Sequence, residues 1–214
     1  MAGPKRGLQG NKKALVSRSS IIIAVKGATM FDKFKAAAEA AGNTEVQRFA
    51  TNAEALNFIE GFLKKEEIKD SPGSYAVWAD APILKGVDKK ALAAKVPGLK
   101  FQVTRELSKN AKIGITQMEW GLANMGTMAQ DSSAVEQRLA SALSWIHVAL
   151  LPTDKIVADL PALMTKMHPD KSNYIALITG PSKTADIERV LAIGVHGPER
   201  LVIVCVDELG GMNS

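Results

Sequence analysis

Apolar residues recur along this chain in two alternating rhythms, short continuous runs and stretches at helical spacing. Phe31, Phe34, Ala38 and Ala41 predict a first helix, closed by Gly42-Asn43. Residues 44–50 read as a short strand; Val46 and Phe49, three positions apart, would then face opposite sides of a sheet. Thr51 or Asn52 can cap the next helix, in which Leu56, Ile59 and Leu63 line one face. The turn Asp70-Ser71-Pro72-Gly73 introduces a strand over 74–80. Asp88 caps a short helix that Pro97-Gly98 ends, and a strand is expected over 101–104. A helix over 133–143, a strand over 145–151 and a helix over 154–167 follow.

The segment 174–207 carries the most information. Residues 174–179 and 201–206 are two apolar runs; between them Ile187, Val190, Leu191 and Gly194 stand at helical spacing. Strand, helix and strand within so short a segment predict a parallel β-α-β unit whose strands are buried on both faces. In such sheets ligands gather beyond the carboxyl ends of the strands, where a turn delivers the chain to a helix N-terminus. Gly180, Ser182, Lys183 and Thr184 are placed there by this reading. A second glycine-bearing bend, Asn124 to Thr127, reads either as an ordinary strand-entry turn or as a bend open onto the same crevice, its amides forming a cradle for a carboxylate or phosphate.

Size and alternation favour a single α/β domain over residues 21–214, preceded by a basic tail over 1–20. The charge is uneven. The chain has 27 basic and 22 acidic residues, and Lys5, Arg6, Lys12, Lys13 and Arg18 precede any acid. The remainder is balanced, so a nucleic-acid-binding body, which would carry a basic face, is not expected. Residues 21–25 are too short an apolar run for the core of an export signal, and residues 145–151 fall far short of a membrane span. Cys205 is the one cysteine. Alone it can form neither an internal disulfide nor a cysteine-rich metal or cluster site, and a reducing cytoplasm is the simplest compartment. His147, His168 and His196 lack metal-ligand spacing. His147 reads as a core histidine, and His196 as a residue at a helix C-terminus. The turn at residues 180–184 has neither P-loop spacing nor the three-glycine dinucleotide fingerprint. Asp186 complements the dipole of the helix expected after it.

Two stretches resemble the lactate-utilization protein C family, whose members share the LUD domain. One is GPSKTADIERVLAIGVHGP, residues 180–198; the other is GITQMEWGLANMGT, residues 114–127. Arg138 and His147 fall near the family's Arg and His, and Asp186, His196 and Gly197 belong to its motif. The likeness covers roughly residues 20–207. It implies a three-layer α/β fold with an open, mostly parallel, Rossmann-type sheet, related to sugar-phosphate isomerases and CoA transferases. It also implies a non-cluster subunit or accessory protein in lactate oxidation to pyruvate, with iron–sulfur clusters in partner proteins and no cofactor in this chain. An alternative is a free-standing enzyme for a phosphorylated, folate-type or CoA-linked molecule, with Glu119 as base. Where the family has Glu-Thr-Gly-Thr, this chain has Asn124-Met125-Gly126-Thr127, and Asn cannot exchange a proton at neutral pH. Glu119 matches the family's other acid position.

Overall fold

The computed structural model describes residues 28–181, 183–185, 191–193 and 196–210. Helix α1 (Met30–Ala40) starts at a capping box: the Thr29 hydroxyl accepts the Asp32 N–H, and the Asp32 carboxylate accepts the Thr29 N–H. It ends at Gly42 and Asn43, both with positive φ. Strand β1 (Thr44–Phe49) leads to α2 (Asn52–Lys65), which Thr51 and Glu54 cap in the same way. Strand β2 (Tyr75–Trp78) is followed by α3 (Lys89–Lys95), capped by Asp88, and by β3 (Leu99–Lys100). The strand expected over 101–104 is displaced because the Thr104 side chain caps a further helix, α4 (Arg105–Lys109).

Strands β4 (Ala111–Gln117), β5 (Trp120–Leu122) and β6 (Thr127–Asp131) precede α5 (Val135–Leu143) and β7 (Ile146–Pro152). The helix expected over 154–167 is shorter. A two-residue strand, β8 (Ile156–Val157), interrupts it, and Asp159 caps α6 (Leu160–Met164), with Pro161 in the first turn. Then come β9 (Ile175–Ile178), β10 (Lys183–Ala185), β11 (Leu191–Ile193) and β12 (Arg200–Val206).

Six strands form a parallel sheet in the order β1-β12-β7-β4-β2-β3. Alternation divides β12 between two cores, as it must when both faces are covered. Val202, Val204 and Val206 join Ile113, Ile115 and Leu150 beneath α2. Leu201, Ile203 and Cys205 join Phe34 and Ala38 of α1 on the other face, with Met128 and Ile156. Val46 and Phe49 part to these two cores as their spacing predicts. The result is three layers with the sheet in the middle. Helix α5 reaches the second face at Gly114, where an added Cβ would lie 1.8 Å from the Ala140 carbonyl oxygen. Only a glycine lets the helix approach so closely.

The expected parallel β-α-β unit does not form. Strand β9 is not in the main sheet; it pairs antiparallel with β6 in a second sheet of order β8-β5-β6-β9. Its residues are half-buried, with Leu177 exposed, so it lacks the burial on two faces that a central parallel strand needs. Strand β12 instead takes β1 and β7 as neighbours. Leu191 is on a strand, because β10 and β11 pair antiparallel. Ser182, Asp186, Ile187, Val190 and Gly194 lie outside the described residues.

Candidate functional site

The two glycine bends do meet. Continuing the register Met128↔Ile178 sets Thr127 beside Thr179, and their hydroxyl oxygens are 2.7 Å apart. They meet against α1, however, and not around a crevice. Gly126, at φ 62°, lies so near the helix that an added Cβ would stand 2.1 Å from the Ala38 nitrogen. Gly180, at φ 65°, packs on Ala41. The amides expected to cradle an anion are already used: Asn124 N–H donates to Ala158 (3.1 Å) and Gly126 N–H to Leu122 (2.9 Å). The Lys183 ammonium donates to the Ala41 carbonyl at the C-terminal end of α1, a favourable place for a cation. Thr184 sits on β10. Asn124 borders an open groove on the far flank of α1, beside Met30 and Lys33. Gly126 and Gly180 build the packing between the small sheet and the first helix.

Five motif residues converge, Gly180 and His147 among them. A cavity of about 370 Å³ opens between α5, β9 and the second face of the main sheet, and Arg138, Gly180, His196 and Gly197 all line it. Its volume lies within the range typical of ligand sites. The floor is His147 of β7 and Leu201 of β12, which are paired in register. Tyr174, Ala176 and Ile178 form the wall contributed by β9. His196 is an exposed residue at the amino end of β12, not the end of a helix. The cavity therefore lies at the amino side of the parallel strands, away from the carboxyl edge where the sequence pattern placed a ligand.

Among the described residues that line the cavity, Arg138 carries the charge. It projects from α5, and its Nη1 donates to the carbonyls of Ser132 and, at 3.3 Å, of Ser133. Its guanidinium carbon lies 5.0 Å from the centroid of the Tyr174 ring, a cation–π distance. No described residue bonds its Nε or Nη2, and none lining the cavity carries a carboxylate. A planar fork fixed by one nitrogen, with the others uncommitted, is suited to a carboxylate or phosphate. His147 adds no charge: burial pushes its pKa down to about 4, so the ring is neutral at physiological pH. Its Nε2 is 2.8 Å from the Thr116 hydroxyl.

Glu119 is elsewhere, in a crevice at the carboxyl ends of the strands, with Asp80. Its Oε2 accepts the Asp131 N–H at 2.8 Å. Protein atoms crowded around the carboxyl push its pKa up to about 7; burial outweighs the backbone hydrogen bonds that oppose it. The residue keeps exposed surface, which limits that desolvation. Among the described residues no cluster of His, Cys, Asp and Glu has the arrangement of a metal site.

Sequence reasoning named Arg138 and His196 from motif resemblance alone. It passed over Tyr174, whose ring braces Arg138, and Lys155, which shares the crevice with Glu119. No local signal marks either, because both are set by which strands the small sheet recruits.

Residues 31–206 match the family model of the LUD domain. Lactate utilization protein C of Macrococcus caseolyticus is 35% identical over 109 residues, which is 48% of this chain and 47% of that protein. The protein of the same name from an Exiguobacterium species is 34% identical over 114 residues, half of each chain. Escherichia coli K12 has a relative, the uncharacterized protein YkgG, that is 31% identical over 107 residues, 47% of this chain and 46% of that protein. The chain thus spans about half the length of the curated relatives it matches. The crystal structure of a DUF162 family protein from Deinococcus radiodurans superposes with a TM-score of 0.57 at 15% identity, over 83% of this chain and 96% of that one. That likeness is one of fold. The family model covers the main sheet from its first described helix to the end of its last strand, and the chain belongs to the LUD domain family.

Proposed function

We propose that this protein serves lactate utilization, and that the Arg138 cavity binds a small 2-hydroxy or 2-oxo acid. The names of its relatives support the process. One observation carries the ligand assignment: a guanidinium anchored by the Ser132 and Ser133 carbonyls and by Tyr174 faces a cavity that no described carboxylate lines. Arg138 would take the acid's carboxylate. His196 at the rim offers a hydrogen bond to its hydroxyl or carbonyl oxygen, and Leu201 and Ile178 offer apolar surface to its methyl group.

In the same reading the chain is a non-cluster component of an assembly in which iron–sulfur partners take the electrons. Its lone thiol suits that division of labour. Cys205 is buried inside β12, and burial pushes its pKa up to about 12, which disfavours the thiolate that iron would need.

Calorimetric titration with L-lactate and pyruvate tests the ligand assignment. Wild type should bind at least one of them. Arg138→Ala should weaken binding at least about tenfold, since hydrogen bonds to charged groups contribute roughly 1.5–3 kcal/mol. Arg138→Lys should be intermediate, because an ammonium keeps the charge and loses the fork. Equal affinity in all three proteins would refute the assignment. Recovery of cysteine-rich iron–sulfur proteins in a native pull-down is the expected result for the assembly. Recovering none, with normal growth on lactate after deletion, would contradict it.

A further inference from the structure

The crevice that holds Glu119 is a separate place with its own logic. After β2 the chain runs outward to β3, and after β4 it runs the other way to β7, so the sheet's topological switch point lies between β2 and β4. Open α/β sheets collect ligands at the carboxyl side of such a point. A crevice of about 280 Å³ opens there, lined from segments that follow β2, β4, β7 and β12. It shares no lining residue with the Arg138 cavity.

Two ionisable groups in it keep capacity that no described side chain takes up. Glu119 Oε2 accepts the Asp131 N–H, and no other residue among those described donates to its carboxylate. The Lys155 ammonium lies 5.1 Å from the centroid of the Trp120 ring, and among the described residues no carboxylate lies within 4 Å of it. The neighbouring polar groups are occupied. Asp80 pairs with Lys89 at 2.7 Å. Asp131 turns its carboxylate to Ser133 and Ser172. Gln137 spends its amide on the Asp80 carbonyl and on Gln130. The segment after β12 lines the crevice with Leu209 alone, so Asp80 with Lys89, Asp131 and Lys155 are the charged groups that face Glu119.

We propose that this crevice is a second ligand site, for a small oxyanion of the carboxylate or phosphate type, which Lys155 holds by charge and to which protonated Glu119 donates a hydrogen bond from Oε1. Binding takes one proton from solvent onto Oε1 when Glu119 starts ionised; no covalent bond forms or breaks. The site of protonation follows from geometry, because Oε2 must remain an acceptor for the Asp131 N–H. Protein atoms crowded around the carboxyl raise its pKa and so favour this protonation. The proposal is independent of the lactate reading, which rests on Arg138.

Sulfate and acetate are suitable probes, the first standing for tetrahedral phosphate and the second for carboxylates; both keep their charge from pH 6 to 9. Calorimetry in buffers of different ionisation enthalpy reads affinity and proton uptake together. At least one probe should bind with uptake of a proton. Its affinity should fall as pH rises from 6 to 9, by up to about 90-fold if only the protonated form binds. Lys155→Ala should weaken binding at least about tenfold. Glu119→Gln should keep binding, lose proton uptake and become independent of pH: the amide oxygen still accepts from Asp131, and its NH2 donates where Oε1–H did. Arg138→Ala should leave this proton-linked binding unaltered and remove only anion that Arg138 itself holds. The proposal fails if neither probe binds with proton uptake, if that proton-linked binding survives Lys155→Ala, or if Glu119→Gln still takes up a proton. It also fails if Arg138→Ala abolishes binding while Lys155→Ala does not, since the anion then sits in the other cavity.

Discussion

Gly126→Ala separates a packing role for the 124–127 bend from a ligand-binding one. Two costs follow from its surroundings. At φ 62° the backbone is left-handed, which costs an L-residue with a side chain about 1–2 kcal/mol. The new Cβ would also stand 2.1 Å from the Ala38 nitrogen and 2.4 Å from its Cα, inside α1. Both are backbone atoms, so no rotamer change relieves the overlap, and helix or bend must move; such overpacking costs about 1–3 kcal/mol. Together the change should destabilise by about 2–5 kcal/mol, read from the urea midpoint at unchanged m-value. For a chain of this size that lowers the melting temperature by roughly 4–20 °C. Gly73→Ala is the internal control. Gly73 has φ 83° but nothing within 4 Å of its added Cβ, so it carries only the conformational cost. If Gly126→Ala is no more destabilising than Gly73→Ala, the close approach to α1 is wrong.

Gly114→Ala drives a methyl toward the Ala140 carbonyl and should shift α5, costing about 1–3 kcal/mol by urea melt and weakening any ligand held by Arg138. Wild-type stability with unaltered ligand affinity would contradict that packing. His147 predicts a pH effect of definite sign. Its folded pKa of about 4 lies below the ordinary 6.5, so the unfolded chain binds the proton first, and stability present above pH 6.5 is lost as pH falls toward 4. At about 1.4 kcal/mol per unit, the loss is roughly 3 kcal/mol. Denaturation of wild type and His147→Gln at each pH isolates it as a difference. Glu119, with a raised folded pKa, acts with the opposite sign: its stability is lost as pH rises from about 4.5 through 7. Being present in both proteins, it cancels. A difference that does not change from pH 7 to 4 would show that His147 is not a buried neutral base.

Strands β1, β2, β7 and β12 of the main sheet were legible because their signals are local. Thr51 and Asp88 stop one element and start another through their own side chains, and the two faces of β1 follow from the spacing of Val46 and Phe49. The small sheet was not legible. Strands of two to five residues carry too little pattern to state their partner, and β9 pairs with a strand more than forty residues earlier. That single misplacement moved the 180–184 bend to the carboxyl end of the strands. Residues 180–184 were set beside a helix N-terminus at the carboxyl edge, whereas Gly180 belongs to a cavity at the amino side. The convergence of Arg138 with His196 depends on α5 closing over Gly114, a contact between segments that no periodicity connects.

A crystal structure of the protein with pyruvate or L-lactate at saturating concentration tests the central assignment most directly. The account predicts the ligand's carboxylate within hydrogen-bond distance of the Arg138 guanidinium, with Tyr174 and His196 around it. Density for the acid anywhere else, or an Arg138 cavity holding only water at saturation, would contradict it.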